Sequence, residues 1–228
     1  MADKKKAVRP KVYNIIVDGE PFVGRTALIN RFLIGNFIDY DDCTMCEDYR
    51  KQVLISGRVA FVEICDPIGI AGSRMAHWRY QMRDADAAIL VYSITSLATF
   101  ERVTSMRDEM LAELARGSEQ DREGGSGARG SSGGRSIPMC LVGNKSDRSI
   151  DREVSVEAGM QLAKDLGCSF FETTAKEGYN VDEAFYSLLR AVAKEKDEPD
   201  EQEPPVVGGF RGRLGRLSRL LGGGKPKS

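Results

Sequence analysis

The apolar residues of this chain alternate between two kinds of segment. Short apolar runs of strand length occur at residues 12–17, 59–65, 87–92 and 139–143. Residues 98–114 and 181–193 instead carry apolar side chains at helical spacing. Because strands that alternate with helices form mostly parallel sheets with helices on both faces, this pattern predicts an α/β fold.

Two of the predicted strands are close enough in sequence to form a hairpin. Residues 49–55 and 59–65 are joined by Ser56-Gly57-Arg58, which suits a tight turn. A further helix is predicted to begin at Ser155, and the last strand is predicted at Phe170 and Phe171. The complete set predicts a six-stranded, mostly parallel sheet.

Residues 117–136 differ in composition from the rest, because Gly and Ser supply twelve of the twenty positions. A segment so poor in apolar side chains cannot offset its ordering entropy, so we expect a disordered insertion. A neutral insertion and a partner-docking segment both fit, and long neutral loops cost little free energy. The predicted organisation is a basic flexible N-terminus (1–10), one globular domain (11–196) and a flexible tail (197–228).

Composition limits the cellular compartments and the classes of partner that fit this chain. The 228 residues have 41% apolar content and a formal charge of −1, which gives no overall bias towards nucleic acid. No run approaches the ~20 apolar residues of a membrane span, and a secretory signal is not evident. The five cysteines are expected to be reduced thiols of a cytoplasmic protein. Cys43-x-x-Cys46 is a weak zinc signal, because two further ligands are needed and His77 is the single histidine.

The segment from Gly19 to Thr26 has the layout of a phosphate-binding loop. Arg25 stands where the pattern G-x-x-x-x-G-K-[ST] has Lys, so a chance match remains open for this segment alone. Such a loop points backbone N–H groups at an anion beside the positive end of a helix. The candidate phosphate-binding residues are Gly19, Glu20, Pro21, Phe22, Val23, Gly24, Arg25 and Thr26. The predicted fold is the three-layer fold of P-loop NTPases.

Asn144, Lys145 and Asp147 follow an apolar run and form the pattern N-K-x-D. In an open parallel sheet, ligands bind at the carboxyl ends of the strands. An ionised carboxylate can accept two hydrogen bonds from guanine, whereas adenine offers no such pair of donors. A solvated turn of Asn, Ser and Asp is the alternative interpretation.

A third pattern, D-x-x-G, lies between the other two. Asp66 ends an apolar run and Gly69 follows three residues later. The carboxylate suits Mg²⁺, and a glycine lets its N–H approach a terminal phosphate. The pattern is uninformative by itself and gains weight from its position in the order of motifs.

With these motifs in order, the chain resembles a small GTPase of the Ras superfamily and is most similar to the Ras branch. The resemblance covers roughly residues 10–196. Residues 37–53 resemble the first switch of that family, and residues 172–176 resemble its third base-contacting loop.

The resemblance implies GTP or GDP and Mg²⁺ as ligands. Thr26 and Thr44 are expected to give oxygens to Mg²⁺, Asp66 to reach it directly or through water, and Gly69 to contact the terminal phosphate. The implied guanine-binding residues are Phe37, Asn144, Lys145, Asp147, Thr174, Ala175 and Lys176. The implied effector surface is Asp42, Met45, Glu47, Asp48 and Tyr49. An exchange factor and a GTPase-activating protein are further partners of the family.

Several positions depart from the family pattern. Ile70 occupies the position of the Gln that orients the attacking water, and it can neither donate nor accept a hydrogen bond. Because phosphoryl transfer depends on positioning, we expect very slow intrinsic hydrolysis and name no catalytic residue. Arg25 is larger than Lys, Pro21 has no N–H and Phe22 adds bulk, so weaker phosphate binding is expected.

The end of the chain lacks the prenylation signal of most Ras-like proteins, because no Cys follows Cys168. Within residues 206–228, apolar and basic residues alternate at a spacing that suits an amphipathic helix. Peripheral attachment to an anionic membrane on its cytoplasmic face and an unstructured basic tail both fit. Specific nucleic-acid binding is not expected, because no aromatic stacking residues accompany the basic ones.

Two functions from different classes fit these observations best. The first is a Ras-like guanine-nucleotide switch in signalling, with impaired GTP hydrolysis. The second is a pseudo-GTPase that recognises proteins through the switch surface without nucleotide cycling. A P-loop kinase is a weaker third interpretation, because it leaves the N-K-x-D pattern unexplained.

Overall fold

The computed structural model describes residues 10–38, 48–67, 73–123 and 136–196, with backbone only at residues 48, 73–77 and 117–123. Six strands form one sheet in the order β2-β3-β1-β4-β5-β6. Among the described strands, only β2 and β3 pair antiparallel, and the other neighbours are parallel. The strands are β1 Lys11–Gly19, β2 Asp48–Ile55, β3 Arg58–Cys65, β4 Ala87–Ser93, β5 Met139–Asn144 and β6 Ser169–Glu172. The predicted six-stranded, mostly parallel sheet is confirmed.

Helices cover both faces of this sheet. Side chains of the first and fifth helices share one core with β1, and those of the other three share a second core on the opposite face. On the first face, the rings of Phe32 and Phe185 stack with their centroids 4.2 Å apart. The helices are α1 Arg25–Ile34, α2 Ser73–Asp84, α3 Leu97–Glu123, α4 Val156–Leu166 and α5 Val181–Lys196, and a short 3₁₀ helix spans Ser149–Asp151. The three-layer α/β fold predicted from the sequence is confirmed.

Local chemistry explains several boundaries. Ser155 caps α4, because its hydroxyl accepts a hydrogen bond from the N–H of Ala158 at 3.1 Å. The β2–β3 hairpin turns at Ser56 and Gly57, both with positive φ. Every residue of β4 is buried, as expected of a central strand covered on both faces.

The third helix is longer than the sequence predicted. We expected a disordered insertion from residue 117, but α3 continues to Glu123, so the prediction was wrong for residues 117–123. Extending a helix costs less than starting one, and this stretch contains the helix formers Glu, Gln and Arg. Residues 124–135 lie outside the described part. The spacing of apolar residues also predicts no helix for residues 73–84, where α2 lies.

The described domain ends with α5. Lys196 is both the last described residue and the last residue of the first compact unit of the chain. None of the described helices is long and apolar enough to cross a membrane.

Candidate functional site

The candidate residues gather at one edge of the sheet. The loop after β1, Asp66 after β3, Asn144 at the end of β5 and residues 173–176 after β6 all follow the carboxyl end of a parallel strand. Parallel strands bring these ends to the same edge, where α/β proteins bind ligands. The topology therefore brings residues of four of the sequence motifs together in one place.

Two glycines allow the loop after β1 to pack closely. Gly24 caps α1 with φ 95°, and a side chain there would meet Asn144 Nδ2 at 2.5 Å. A side chain at Gly19 would meet the carbonyl oxygen of Val91 at 2.5 Å. The strand–loop–helix context that the phosphate-loop pattern requires is present.

Phe22 adopts a conformation that is unusual for its residue type. Its φ is 65°, in the left-handed region that favours glycine, and its side chain is 89% exposed. Lys145 Nζ donates a hydrogen bond to the Phe22 carbonyl oxygen at 2.6 Å. The bulk expected to crowd the loop therefore lies in solvent, and the strained backbone is held by a bond from the N-K-x-D segment.

Arg25 lies in a buried cluster with two carboxylates. Its Nε is 3.2 Å from Asp66 Oδ1 and its Nη1 is 3.6 Å from Asp18 Oδ1. Nη1 also donates to the carbonyl oxygen of Gly19. The three charged residues are 8%, 0% and 5% exposed for Arg25, Asp66 and Asp18. The guanidinium thus already has anionic partners within the protein.

Thr26 and Asp66 form the other part of this cluster. The hydroxyl of Thr26 donates to Asp66 Oδ2 at 2.6 Å. A hydroxyl and a carboxylate brought together in this way supply the hard oxygen ligands that Mg²⁺ prefers. The donor set therefore fits the metal that the sequence led us to expect.

Asn144 links two loops of the site. Its Nδ2 donates to the carbonyl oxygen of Val23 at 2.9 Å, and its Oδ1 accepts from the N–H of Ala175 at 3.3 Å and from the hydroxyl of Thr173 at 3.2 Å. We expected Asn144 to hold the base. In the structure its amide joins the phosphate loop to the loop after β6, and the Ala175 N–H expected at the base donates to it.

The other candidate base-binding residues differ in exposure. Asp147, Phe37 and Lys176 are exposed, and Thr174 is buried. Lys145 is half-buried with φ 66°. Burial, followed by the positive charge of Arg148, lowers the pKa of Lys145, and Asp147 partly opposes this shift. The structure therefore leaves the Asp147 carboxylate accessible at this edge.

Arg31 is a site residue that sequence reasoning missed. Its Nε donates to the carbonyl oxygen of Ala175 at 2.8 Å, its Nη2 donates to that of Lys176, and its Nη1 donates to that of Gly35 at 2.7 Å. A basic residue in the last turn of a helix commonly bonds to the carbonyls of its own helix. No feature of the neighbouring sequence indicates the bond of Arg31 to a loop 144 residues away.

Asp18 and Trp78 were also missed. Trp78 Nε1 donates to Asp18 Oδ2 at 3.0 Å, and the N–H of Gly19 donates to Asp18 Oδ1 at 2.8 Å. A charged residue directly between the apolar run 12–17 and the loop was a visible signal, because a carboxylate that becomes buried there requires partners.

Some expected site residues lie outside the described part of the chain. They are Asp42, Thr44, Met45, Glu47, Gly69 and Ile70, and the side chain of Asp48. The residues considered for zinc, Cys43, Cys46 and the side chain of His77, lie there too. Tyr49 is described and half-buried on β2. It lines a cavity of about 330 Å³ between β1, β2, β3 and α2, with Arg50, Glu63 and Gln81 among the other lining residues.

The sheet order and the strand–loop–helix unit define the class of protein, an α/β protein with the fold of P-loop GTPases. A model of the family described as the Ras family matches residues 14–194. The chain therefore belongs to the Ras family. Membership implies guanine-nucleotide binding, typically with Mg²⁺, and in general effector, exchange-factor and GTPase-activating partners.

Fungal proteins of known sequence are similar over most of the chain. "Ras-like protein B" of Aspergillus fumigatus is 34% identical over 89% of this chain and 88% of its own length. "Protein ras-2" of Neurospora crassa is 34% identical over 82% of each chain. "Ras-like protein 1" of Saccharomyces cerevisiae is 37% identical over 84% of this chain and 55% of its own length. These similarities agree with the family match.

Proposed function

We propose that this chain is a Ras-type signalling switch that binds GTP and GDP with Mg²⁺ and hydrolyses GTP very slowly on its own. The observation that carries this proposal is the two-sided bonding of Asn144 between Val23 and Ala175. That bonding ties the phosphate loop to the base loop through the protein's own side chains. Such preorganisation lowers the entropy cost of binding a ligand that spans both loops.

For the phosphate end, we propose that the N–H groups of residues 19–26 surround the diphosphate at the positive end of α1. Thr26 and Asp66, whose oxygens already adjoin, hold Mg²⁺ together with Thr44. Bound Mg²⁺ would neutralise phosphate charge, and Thr26, Thr44 and Asp66 would hold the ion. Gly69 contributes an N–H to the terminal phosphate when GTP is present.

For the base end, we propose that the exposed carboxylate of Asp147 accepts two hydrogen bonds from guanine. Phe37 and Lys176 pack against the base, while Lys145 holds the loop through Phe22. Asn144, Thr174 and Ala175 support this arrangement from the buried side. ADP has no matching donor pair, so selection against it by a factor of about 10⁴ is within reach of such a contact.

Slow hydrolysis follows from Ile70. Attack on the terminal phosphate needs a positioned water, and an aliphatic side chain supplies no hydrogen bond to it. A partner protein that supplies such a group would restore turnover. We therefore propose a switch whose GTP-bound lifetime is set by partners.

The pseudo-GTPase remains the second candidate, and one observation favours it. Arg25, the cation of the phosphate loop, has Asp18 and Asp66 as partners, which lowers its attraction for an added phosphate. In either case, the proposed effector surface is Asp42, Met45, Glu47, Asp48 and Tyr49. Of these residues, Tyr49 is the one with a described side chain, and it lines the cavity between β1, β2, β3 and α2.

We further propose that the protein is cytoplasmic and attaches peripherally to anionic membrane through residues 206–228. This segment lies outside the described residues. Its support is the alternation of apolar and basic side chains in the sequence.

The test of the principal proposal compares Asp147→Ala with Asp151→Ala, since both carboxylates are exposed and only four residues apart. Nucleotide is extracted from purified protein and identified by chromatography, and GDP and ADP affinities are measured by calorimetry with Mg²⁺. We expect bound guanine nucleotide in the wild type, and a loss of GDP affinity of about 100-fold or more in Asp147→Ala, because the donor edge of guanine loses its acceptor.

Asp151 pairs with Arg148 at the surface, so Asp151→Ala should change GDP affinity by less than about threefold. Protein purified without nucleotide that binds neither GDP nor ADP would instead support the pseudo-GTPase. Equal affinity for GDP and ADP would contradict the role of Asp147.

A further inference from the structure

The floor of the phosphate loop contains more negative than positive charge. Here the loop-floor cluster means Asp18, Arg25, Asp66 and Trp78. One guanidinium faces two carboxylates, at 3.2 Å from Asp66 and 3.6 Å from Asp18, so the cluster has one net negative formal charge. All four residues are buried.

The two carboxylates of the cluster are held differently. Asp66 accepts from the Thr26 hydroxyl, and its oxygens suit a divalent cation. Asp18 accepts from the indole N–H of Trp78 at 3.0 Å and from the N–H of Gly19 at 2.8 Å. Two donors from different elements thus fix the Asp18 carboxylate against the Arg25 guanidinium.

We propose that Asp18 determines the affinity of the phosphate site by competing with phosphate for Arg25. This inference rests on the proposed nucleotide-binding function. In the structure Asp18 and Asp66 share the guanidinium. When a divalent cation engages Asp66, Asp18 still holds Arg25 and still repels an incoming phosphate.

The physical reason is the low dielectric of a buried site. A buried carboxylate and a buried guanidinium attract each other strongly. A phosphate that draws the guanidinium away leaves the carboxylate buried without a compensating charge, and this costs free energy. A negative charge close to bound phosphate also raises the free energy of the bound state. Both effects weaken nucleotide binding, and both disappear when the charge of Asp18 is removed.

The experiment uses the full chain, freed of nucleotide, and compares Asp18→Asn with Asp86→Asn. Asn is isosteric with Asp and keeps one acceptor oxygen, so it can accept from Trp78 or from the N–H of Gly19 but not from both. Asp86 is a matched control because it is also buried, accepts from the N–H of Asn14 at 2.9 Å and pairs with Lys196, with no bond to the phosphate loop among the contacts described. The measurements are GDP affinity by calorimetry with Mg²⁺ and the melting temperature of the nucleotide-free protein.

We expect Asp18→Asn to bind GDP about tenfold more tightly than the wild type and to melt at a lower temperature without nucleotide. Asp86→Asn should lower the melting temperature while leaving GDP affinity within about twofold. A higher GDP affinity together with a lower melting temperature in Asp18→Asn would show that Asp18 competes with phosphate for Arg25. A purely structural role of Asp18 would lower the melting temperature without raising GDP affinity.

Arg25→Lys provides a second variant that keeps the positive charge but loses the forked contacts. This variant should bind GDP more tightly than the wild type and melt at a lower temperature without nucleotide. In its background, Asp18→Asn should raise GDP affinity by less than it does in the wild type, because both changes remove the same competition. An undiminished gain in the Arg25→Lys background would overturn the inference. If Asp18→Asn does not fold, unchanged GDP affinity in Arg25→Lys alone would also overturn it.

The outcomes separate this inference from the proposed function. If the wild type binds GDP and Asp18→Asn binds it no more tightly, only the inference fails. If neither the wild type nor Asp18→Asn binds GDP, the proposed function and the inference both fail, because removing the charge of Asp18 then does not allow phosphate to bind. Binding by Asp18→Asn but not by the wild type would support the inference directly.

Discussion

At the scale of single residues, the side chains of the motifs do more than face a ligand. The amide of Asn144 is hydrogen-bonded to Val23 and Ala175, and the guanidinium of Arg25 pairs with two carboxylates. Pattern matching recognised both positions, since residue type and spacing are local. The partners of these side chains come from other elements, so the pattern could not name them.

One prediction concerns Ile70. Ile70→Gln should raise the rate of single-turnover GTP hydrolysis by about tenfold or more, because Gln can donate to and accept from the attacking water. The measurement is phosphate release from preloaded protein at saturating Mg²⁺. GDP affinity should be unchanged within error.

Leu54→Gln is the control for Ile70→Gln. Leu54 is an exposed aliphatic residue on the β2–β3 hairpin, so the same kind of substitution there should not alter hydrolysis. Rapid hydrolysis by the unmodified chain, without any partner, would contradict the role assigned to Ile70.

At the scale of elements, α1 organises both ends of the site. Its first two residues, Arg25 and Thr26, are the last two of the phosphate loop, and Arg31 near its end donates to the carbonyls of Ala175 and Lys176. The loop after β6 is further closed by a bridge between Thr174 and Tyr179. A change at the end of α1 is therefore expected to reach the base-binding loop.

Arg31→Ala should weaken GDP binding by about tenfold, because three carbonyl oxygens lose a charged donor and the loop must be ordered by the ligand. Amide hydrogen exchange should accelerate at Thr174, Ala175 and Gly178, whose N–H groups bond within or beside this loop. Calorimetry and exchange followed by NMR measure the two effects.

Arg190→Ala is the matched control, because Arg190 is also helical and its ion pair with Glu183 lies on the surface. Such a pair contributes about 0–1 kcal/mol, so neither GDP affinity nor exchange in the loop should change. Unaltered exchange in Arg31→Ala would show that the loop is held without Arg31.

At the scale of the whole molecule, the last helix is tied back to the first strand. Lys196 Nζ is 2.5 Å from Asp86 Oδ1 and 5.6 Å from the centre of the Tyr13 ring, while Asp86 also accepts from the N–H of Asn14. These contacts anchor the end of α5 at the point where the described domain stops.

The prediction at this scale concerns the tail, residues 197–228. Deletion of residues 206–228 should abolish sedimentation with phosphatidylserine vesicles, because the six basic residues from Phe210 to Ser228 are worth about 1 kcal/mol each near an anionic surface. Binding of the intact chain should fall steeply with added salt.

Deletion of residues 2–9, the other basic end, provides the comparison and should preserve most of the vesicle binding. Vesicles of phosphatidylcholine alone should bind neither form strongly. Sedimentation of the 206–228 deletion at the level of the intact chain would refute membrane attachment through the tail.

Much of the fold was predictable because its signals are local. Continuous apolar runs marked strands such as β4, and Ser155 marked the start of α4. The end of α3 was not predictable in the same way. Gly117 and Ser118 suggested a break, but a long helix already formed upstream extends through weak formers at little cost.

Residue order alone specified the motifs, the number of strands and the family, since each depends on residue type and spacing within a short segment. Tertiary packing decided which partners the charged and amide groups take. Asp18, Trp78 and Arg31 gained their roles only when strands and helices far apart in sequence met at one edge of the sheet. Buried polar groups must be satisfied by whatever neighbours the fold brings within reach, and those neighbours are set by the topology rather than by adjacency in the chain.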